Sequence, residues 1–159
     1  PDVLVQLIND KLKLSIKELS KKNNLQKNIM TYNEKLEKTK TFYPFAKWRE
    51  LFFPDPEEKD LGGMEQYTQE NCDAARTIFD NLINGLNSLG ENAETKDKVE
   101  LFKTAVESLN DLNDEVDDLI ETGEREELCE LIDQIKIAAG INPEDYDNGE
   151  GMGEGWRNW

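Results

Sequence analysis

No histidine occurs anywhere in this chain, while thirty-five of its 159 residues are aspartate or glutamate and two are cysteine. That inventory sets the chemistry open to it. Without imidazole the commonest general base is missing, and so are the Ser-His and Cys-His nucleophilic pairs and the usual nitrogen ligand of metal sites. Spacings for phosphate-cradling loops, dinucleotide folds and zinc ligation are absent too. Carboxylates alone can run acid–base chemistry, but only when apolar surroundings push one of a pair away from its ordinary pKa. No such pair stands out in the sequence. The chain therefore reads as a non-enzyme, with no catalytic residue and no cofactor expected.

Carboxylates also bind hard cations. Asp111, Asp114, Glu115, Asp117 and Asp118 crowd one stretch, but carboxylate-bridged metal bundles add a Glu-x-x-His that this chain cannot supply. The segment Asp145-Tyr146-Asp147-Asn148-Gly149-Glu150 has the flavour of a calcium loop. Counted from Asp145, the sixth position is Glu150 where glycine is needed, and the twelfth is Trp156 where glutamate is needed. Setting Gly149 as the sixth instead puts Tyr146 third and Gly155 twelfth, which fails again. No metal site is assigned, and the carboxylates read as a solvated acidic face.

Charge is divided along the chain. Residues 1–50 carry eleven Lys and Arg against six Asp and Glu, whereas residues 51–159 carry eight against twenty-nine. A basic arm ahead of an acidic body is the pattern of a protein that associates electrostatically. The body repels phosphates, so nucleic acid is not an expected partner. The lysines of the arm, Lys11, Lys13, Lys17, Lys21, Lys22 and Lys27, can lie against the acidic body of the same chain and offset its self-repulsion. Contact of the arm with an anionic membrane surface is the alternative.

The elements that position these groups read as helices. Leu4, Ile8, Leu12, Ile16 and Leu19 share one face of a helix over 2–20, and Leu25, Ile29, Tyr32 and Leu36 mark a second segment to about residue 40. The polar run at 21–24 either ends the first helix or lets it bend and continue. Residues 41–56 hold six aromatics between prolines, with Pro44 opening a short helix that ends before Pro54. A polar loop closes at Gly62-Gly63. Cys72, Ala75, Phe79, Leu82, Leu86 and Leu89 define a helix over 65–89, stopped by Gly90. Val99, Phe102, Val106, Leu109, Leu112, Val116 and Leu119 define another over 95–121. Leu128, Leu131, Ile132, Ile135 and Ala138 define the last, before Gly140. Short connections make these last three antiparallel neighbours.

The expected fold is all-α: an antiparallel helical bundle of about five helices forming one domain over 1–140, with the 1–40 arm packed on helices 65–140. Residues 141–159 form an acidic, Gly-rich tail ending in Trp-Arg-Asn-Trp. Phe42, Phe45, Trp48, Phe52 and Phe53 are expected in the core. For Trp156 and Trp159, latching onto the domain and docking on another molecule are both open. Cys72 and Cys129 lie in helical stretches and read as buried thiols, with a single bridge as the alternative in an exported protein. No membrane span or signal peptide is visible, which favours the cytoplasm; the start at Pro1 leaves export open.

The stretch 119–132 (LIETGEREELCELI) and the ending 149–159 (GEGMGEGWRNW) resemble small, uncharacterised acidic bacterial proteins for which toxin-immunity roles are suspected. The resemblance covers about the last third of the chain. It implies a protein-binding role and brings no catalytic residue. The charge division and the lack of catalytic residue types assign the surface: Asp111, Asp114, Glu115, Asp117, Asp118, Glu121, Glu124, Glu126 and Glu127 are expected to steer a basic protein partner, with Trp156 and Trp159 as anchors.

Overall fold

The computed structural model describes residues 2–27, 29–52, 65–145 and 153–159, and the regular structure among them is helical throughout. The all-α architecture expected from the apolar spacing is the one found. The chain divides into two compact units, Pro1–Thr31 and Tyr32–Trp159.

The first unit is one helix, α1 (Asp2–Lys27). It runs straight through the polar stretch at 21–24. Lysine and asparagine cost only a few tenths of a kcal/mol each in a helix, on the order of 0.3–0.7, too little to stop one already propagating. Leu4, Ile8, Leu12, Ile16 and Leu19 keep their shared face, and each is more than half exposed.

The second unit begins with α2 (Tyr32–Lys38) and a 3₁₀ turn (Thr39–Phe42). The predicted segment to residue 40 is thus a separate short helix. Leu36 enters the core while Ile29 stays exposed. The Thr39 hydroxyl donates to the Leu36 carbonyl at 2.6 Å, closing the last turn. In α3 (Phe45–Phe52) Pro44 sits just ahead of the first helical residue, where its missing N–H costs nothing. Its carbonyl accepts the first helical bond, from Trp48 N at 2.9 Å.

Helix α4 (Gln69–Leu89) starts four residues later than the periodicity predicts, because Thr68 caps it. The Thr68 side chain accepts from Asn71 N at 3.1 Å. Gly90 ends the helix at φ +86°, a left-handed conformation that favours glycine. Helix α5 (Thr95–Glu115) stops six residues short of the predicted end. Its last turn carries Asp111, Asp114 and Glu115 and no base, against the negative end of the helix dipole. The chain then turns: Val116 is extended, Asp118 adopts φ +58°, and Asn113 Oδ1 accepts from Ile120 N at 2.9 Å. Leu119 and Ile120 are buried from this turn rather than from a helix face.

Helix α6 (Thr122–Ala138) takes Thr122 and Gly123, expected as punctuation, into its first turn. The Glu124 carboxylate accepts from Glu121 N at 3.3 Å, half of a capping box. The far end closes in a Schellman motif: Ile141 N donates to Lys136 O at 2.9 Å and Gly140 N to Ile137 O at 3.0 Å. A final 3₁₀ turn spans Pro143–Asp145.

Within this unit α4 is central, with α5, α3 and α2 against it. Helices α4 and α5 are the expected close pair, whereas α6 makes its close backbone approaches to α2 and the first 3₁₀ turn. Aromatic rings fill the junction. Phe45 lies edge-on to Tyr43 and Trp48 at 5.2 and 5.3 Å, and Tyr67 reaches Trp48 at 5.9 Å. Phe45 and Trp48 meet their core assignment, while Phe42 is 42% exposed. The Phe52 and Phe53 side chains, the Gly62-Gly63 loop and residues 146–152, with most of the calcium-like segment, lie outside the described residues.

The buried Lys98, in the first turn of α5, joins the ends of α4 and α6. Lys98, 5% exposed, donates to the carbonyls of Glu91 at 2.7 Å and Ala139 at 2.9 Å, with its ammonium 5.1 Å from the Tyr32 ring centre. The second carbonyl belongs to the end of α6, where a cation complements the dipole.

Candidate binding surface

The nine predicted steering carboxylates separate into two groups. Asp111, Asp114, Glu115, Asp117, Asp118, Glu121 and Glu126 are exposed. They run from the last turn of α5, through the connecting turn, onto the start of α6. Among the described residues none of the seven forms an ion pair, although Glu37, Asp80, Glu91, Glu107, Glu127, Asp133 and Glu154 all do. Exposed Glu65, Glu70, Glu94, Asp97, Glu100 and Glu130 form no ion pair among the described residues either, so what sets the seven apart is that they follow one another along a single ridge.

Glu124 and Glu127 have structural work instead. Glu124 is only 5% exposed and its carboxylate caps α6. The phenol of Tyr67 is held well above its ordinary pKa, chiefly by burial and then by the charge of Glu124. Glu127 accepts the indole N–H of Trp48 on one oxygen at 2.6 Å and pairs with Lys47 through the other. Both of its oxygens are occupied, so it has little left for a partner.

The tail latches onto its own domain. Gly153 is buried at φ +106°, and a Cβ there would meet Val106 Cγ2 at 3.4 Å. Asn110 on α5 holds the tail from both ends of its amide, donating to Trp156 O at 2.7 Å and accepting from Asn158 N at 3.2 Å. The Arg157 guanidinium donates to Cys129 Sγ at 2.8 Å, pairs with Glu154, and stands 5.1 Å from the Trp159 ring centre. Trp156 and Trp159 are half-buried against the core. Sequence reasoning left latching and docking open; Asn110, the residue that fixes the latch, carries no signal in the sequence.

Cys72 and Cys129 are free thiols. Burial pushes both above their ordinary pKa, opposed at Cys129 by the neighbouring Arg157 charge, so both stay protonated at neutral pH. Among the described residues no three His, Cys, Asp or Glu side chains converge to hold a metal ion. No helix there is long and apolar enough to cross a membrane.

A small cleft lies beside the paired Glu127. Phe42, Tyr43, Pro44, Lys47, Glu127 and Glu130 line it, and its volume is about 210 Å³. Tyr43 is anchored there by donating to Asp80 Oδ1 at 2.9 Å. Its phenol is held far above the ordinary value, chiefly by burial and next by that bond. Comparison of the chain with protein-family models, curated proteins and solved structures finds no match.

Proposed function

We propose that the protein is a non-enzymatic, acidic protein-binding module of immunity or inhibitor type, whose ridge masks a basic partner. One observation carries the reading: seven exposed carboxylates from Asp111 to Glu126 lack ion pairs among the described residues, and three of them sit at the wrong end of a helix dipole. Unneutralised charge there costs the folded state self-repulsion, on the order of 0.3–1 kcal/mol per residue at a helix end. A basic partner converts that cost into attraction and speeds encounter.

The test is a binding survey against basic, neutral and acidic proteins of similar size. It uses the full chain and a variant with Asp111→Asn, Asp114→Asn, Glu115→Gln and Asp117→Asn. Selective binding to basic proteins that weakens with salt and with the substitutions is expected. Binding to neutral or acidic proteins alone, insensitive to salt, refutes the proposal.

A second reading rests on α1, whose apolar residues are exposed and interspersed with Lys11, Lys13, Lys17, Lys21 and Lys22. It makes the protein envelope-associated, with α1 lying on an anionic membrane. Co-sedimentation of the full chain with anionic vesicles, abolished by Lys11→Glu, Lys13→Glu and Lys17→Glu, favours it. No sedimentation, or equal sedimentation with neutral vesicles, rejects it.

A further inference from the structure

The cleft between the first 3₁₀ turn, α3 and α6 has a composition that selects its occupant. At about 210 Å³ it falls below the roughly 300–1,000 Å³ of sites for cofactors and other drug-sized ligands, and suits a single side chain. Its charged lining is Lys47, Glu127 and Glu130. Lys47 and Glu127 cancel each other in an ion pair, and Glu127's other oxygen is taken by Trp48. Glu130 is exposed and forms no ion pair among the described residues, so the cleft carries one uncompensated negative charge. An anion is repelled there, and an apolar side chain would desolvate Glu130 without replacing its water.

The apolar part of the lining explains which cation fits. Phe42 is the one aromatic among the described residues that stands as an exposed large apolar side chain, while Phe45, Trp48, Tyr67, Phe79 and Phe102 are buried. An exposed ring and an unpaired carboxylate lining one cleft match a guanidinium, which stacks on an aromatic face while its edge binds a carboxylate through two N–H groups. Lysine, a compact and strongly hydrated ammonium, uses the carboxylate but gains less from the ring.

We infer that this cleft is a socket for one arginine side chain of the basic partner, with Phe42, Tyr43 and Pro44 as its apolar lining and Glu130 as its free carboxylate. The inference rests on the proposed binding of a basic protein and adds to it a specific anchor. Glu130 lies four residues beyond Glu126 of the ridge, about one turn further on the same face of α6 and roughly 6 Å along it at 1.5 Å per residue. That span is within the footprint of one protein interface. The ridge steers the partner and the socket reads one residue of it, which divides on-rate from specificity.

The experiment titrates the isotopically labelled full chain with a capped Gly-Arg-Gly peptide, followed by amide NMR, with Gly-Lys-Gly and the neutral isostere Gly-citrulline-Gly as comparisons. Saturable shifts at Phe42, Tyr43, Lys47, Glu127 and Glu130 are expected, strongest for arginine and absent for citrulline. Phe42→Ala and Glu130→Gln, both at exposed positions, should each weaken binding about fivefold. An unmoved Trp48 indole resonance in those variants shows that the fold is intact. Shifts along residues 111–121 with none at the cleft overturn the socket but leave the acidic ridge as a binding surface. An oligo-arginine peptide that shifts neither region overturns both.

Discussion

Glu127 provides a sharp test of how the acidic residues divide between structure and recognition. Its Oε2 accepts the buried Trp48 indole N–H at 2.6 Å, and its Oε1 pairs with Lys47, whose side chain is about half exposed. Replacing it with alanine strands a buried donor, which costs about 1–3 kcal/mol, and removes a mostly exposed ion pair worth about 0–1 kcal/mol. Glu127→Ala should therefore destabilise the bundle by about 2–3 kcal/mol. Glu127→Gln keeps an acceptor for the indole and loses only the charge, so about 1 kcal/mol is expected. Lys47→Ala isolates the surface pair and should cost under about 1 kcal/mol.

Urea denaturation followed by tryptophan fluorescence measures all three, and the Trp48 indole N–H resonance reports the bond directly. In thermal melts the alanine variant should lose on the order of 10 °C, taking about 4 °C per kcal/mol for a domain of this size. If Glu127→Ala falls within about 0.5 kcal/mol of wild type with the indole resonance unmoved, the bond does not hold α6 to α3. Glu127 would then return to the recognition ridge. If the energies come out in the predicted order, charge at residue 127 is a poor guide to binding.

Three further expectations follow from named contacts. Tyr43 has a raised folded-state pKa, so the denatured chain ionises first. The stability it contributes is intact below its ordinary value of about 10 and lost as pH rises toward the folded value. Urea midpoints should fall above about pH 10 more steeply in wild type than in Tyr43→Phe, and parallel slopes reject the assignment. Asn110→Ala should release the tail at a cost of about 1–2 kcal/mol for its two bonds, read as faster thiol-reagent modification of Cys129 and a red shift of tryptophan emission; unchanged reactivity means the tail does not cover the thiol. Asp118→Gly should stabilise the domain by about 1 kcal/mol by relieving its left-handed backbone, whereas Asp118→Asn, which tolerates that conformation and lacks the charge, should gain less; paired urea curves decide it.

The apolar stripes of α4, α5 and α6 were legible because each is a one-sided 3.6-residue period, and Cys72 through Leu86 are buried in the predicted order. Periodicity failed where a turn reuses a helical spacing. Leu119 continues the α5 series in sequence yet is buried from the loop after Val116, because Asn113 and a left-handed Asp118 reverse the chain first. Much of the candidate surface was legible as composition, since acidic runs in a chain this charged must be largely exposed. What composition cannot supply is which carboxylates find donors. Glu124 and Glu127 look like their neighbours in sequence. Their roles depend on a capping register and on an indole brought in from nearly eighty residues away. Phe42 was misplaced for a similar reason: six aromatics in sixteen residues exceed what one short helix can bury, and sequence alone does not say which is left out.

The structural use of Glu124 and Glu127 sharpens the reading of the remaining seven. Stability accounts well for a carboxylate that caps a helix or accepts an indole, and those two have such roles. It accounts poorly for Asp111, Asp114 and Glu115 in the last turn of α5, where lysine or arginine would favour the helix and none is present. Asp118 adds a left-handed backbone to the same turn, which is held by the Asn113 bond to Ile120 N and by a long 3.4 Å bond from Gln66 to the Asp118 carbonyl. Four costs of a few tenths to about 1 kcal/mol therefore fall within eight residues, at the one place where the chain passes between α5 and α6. On the proposed function, this local strain and repulsion is what a surface shaped for an external cation would carry. Binding and stability should then trade against each other along this ridge: substitutions that neutralise it should make the domain harder to unfold and its complex with a basic protein easier to separate.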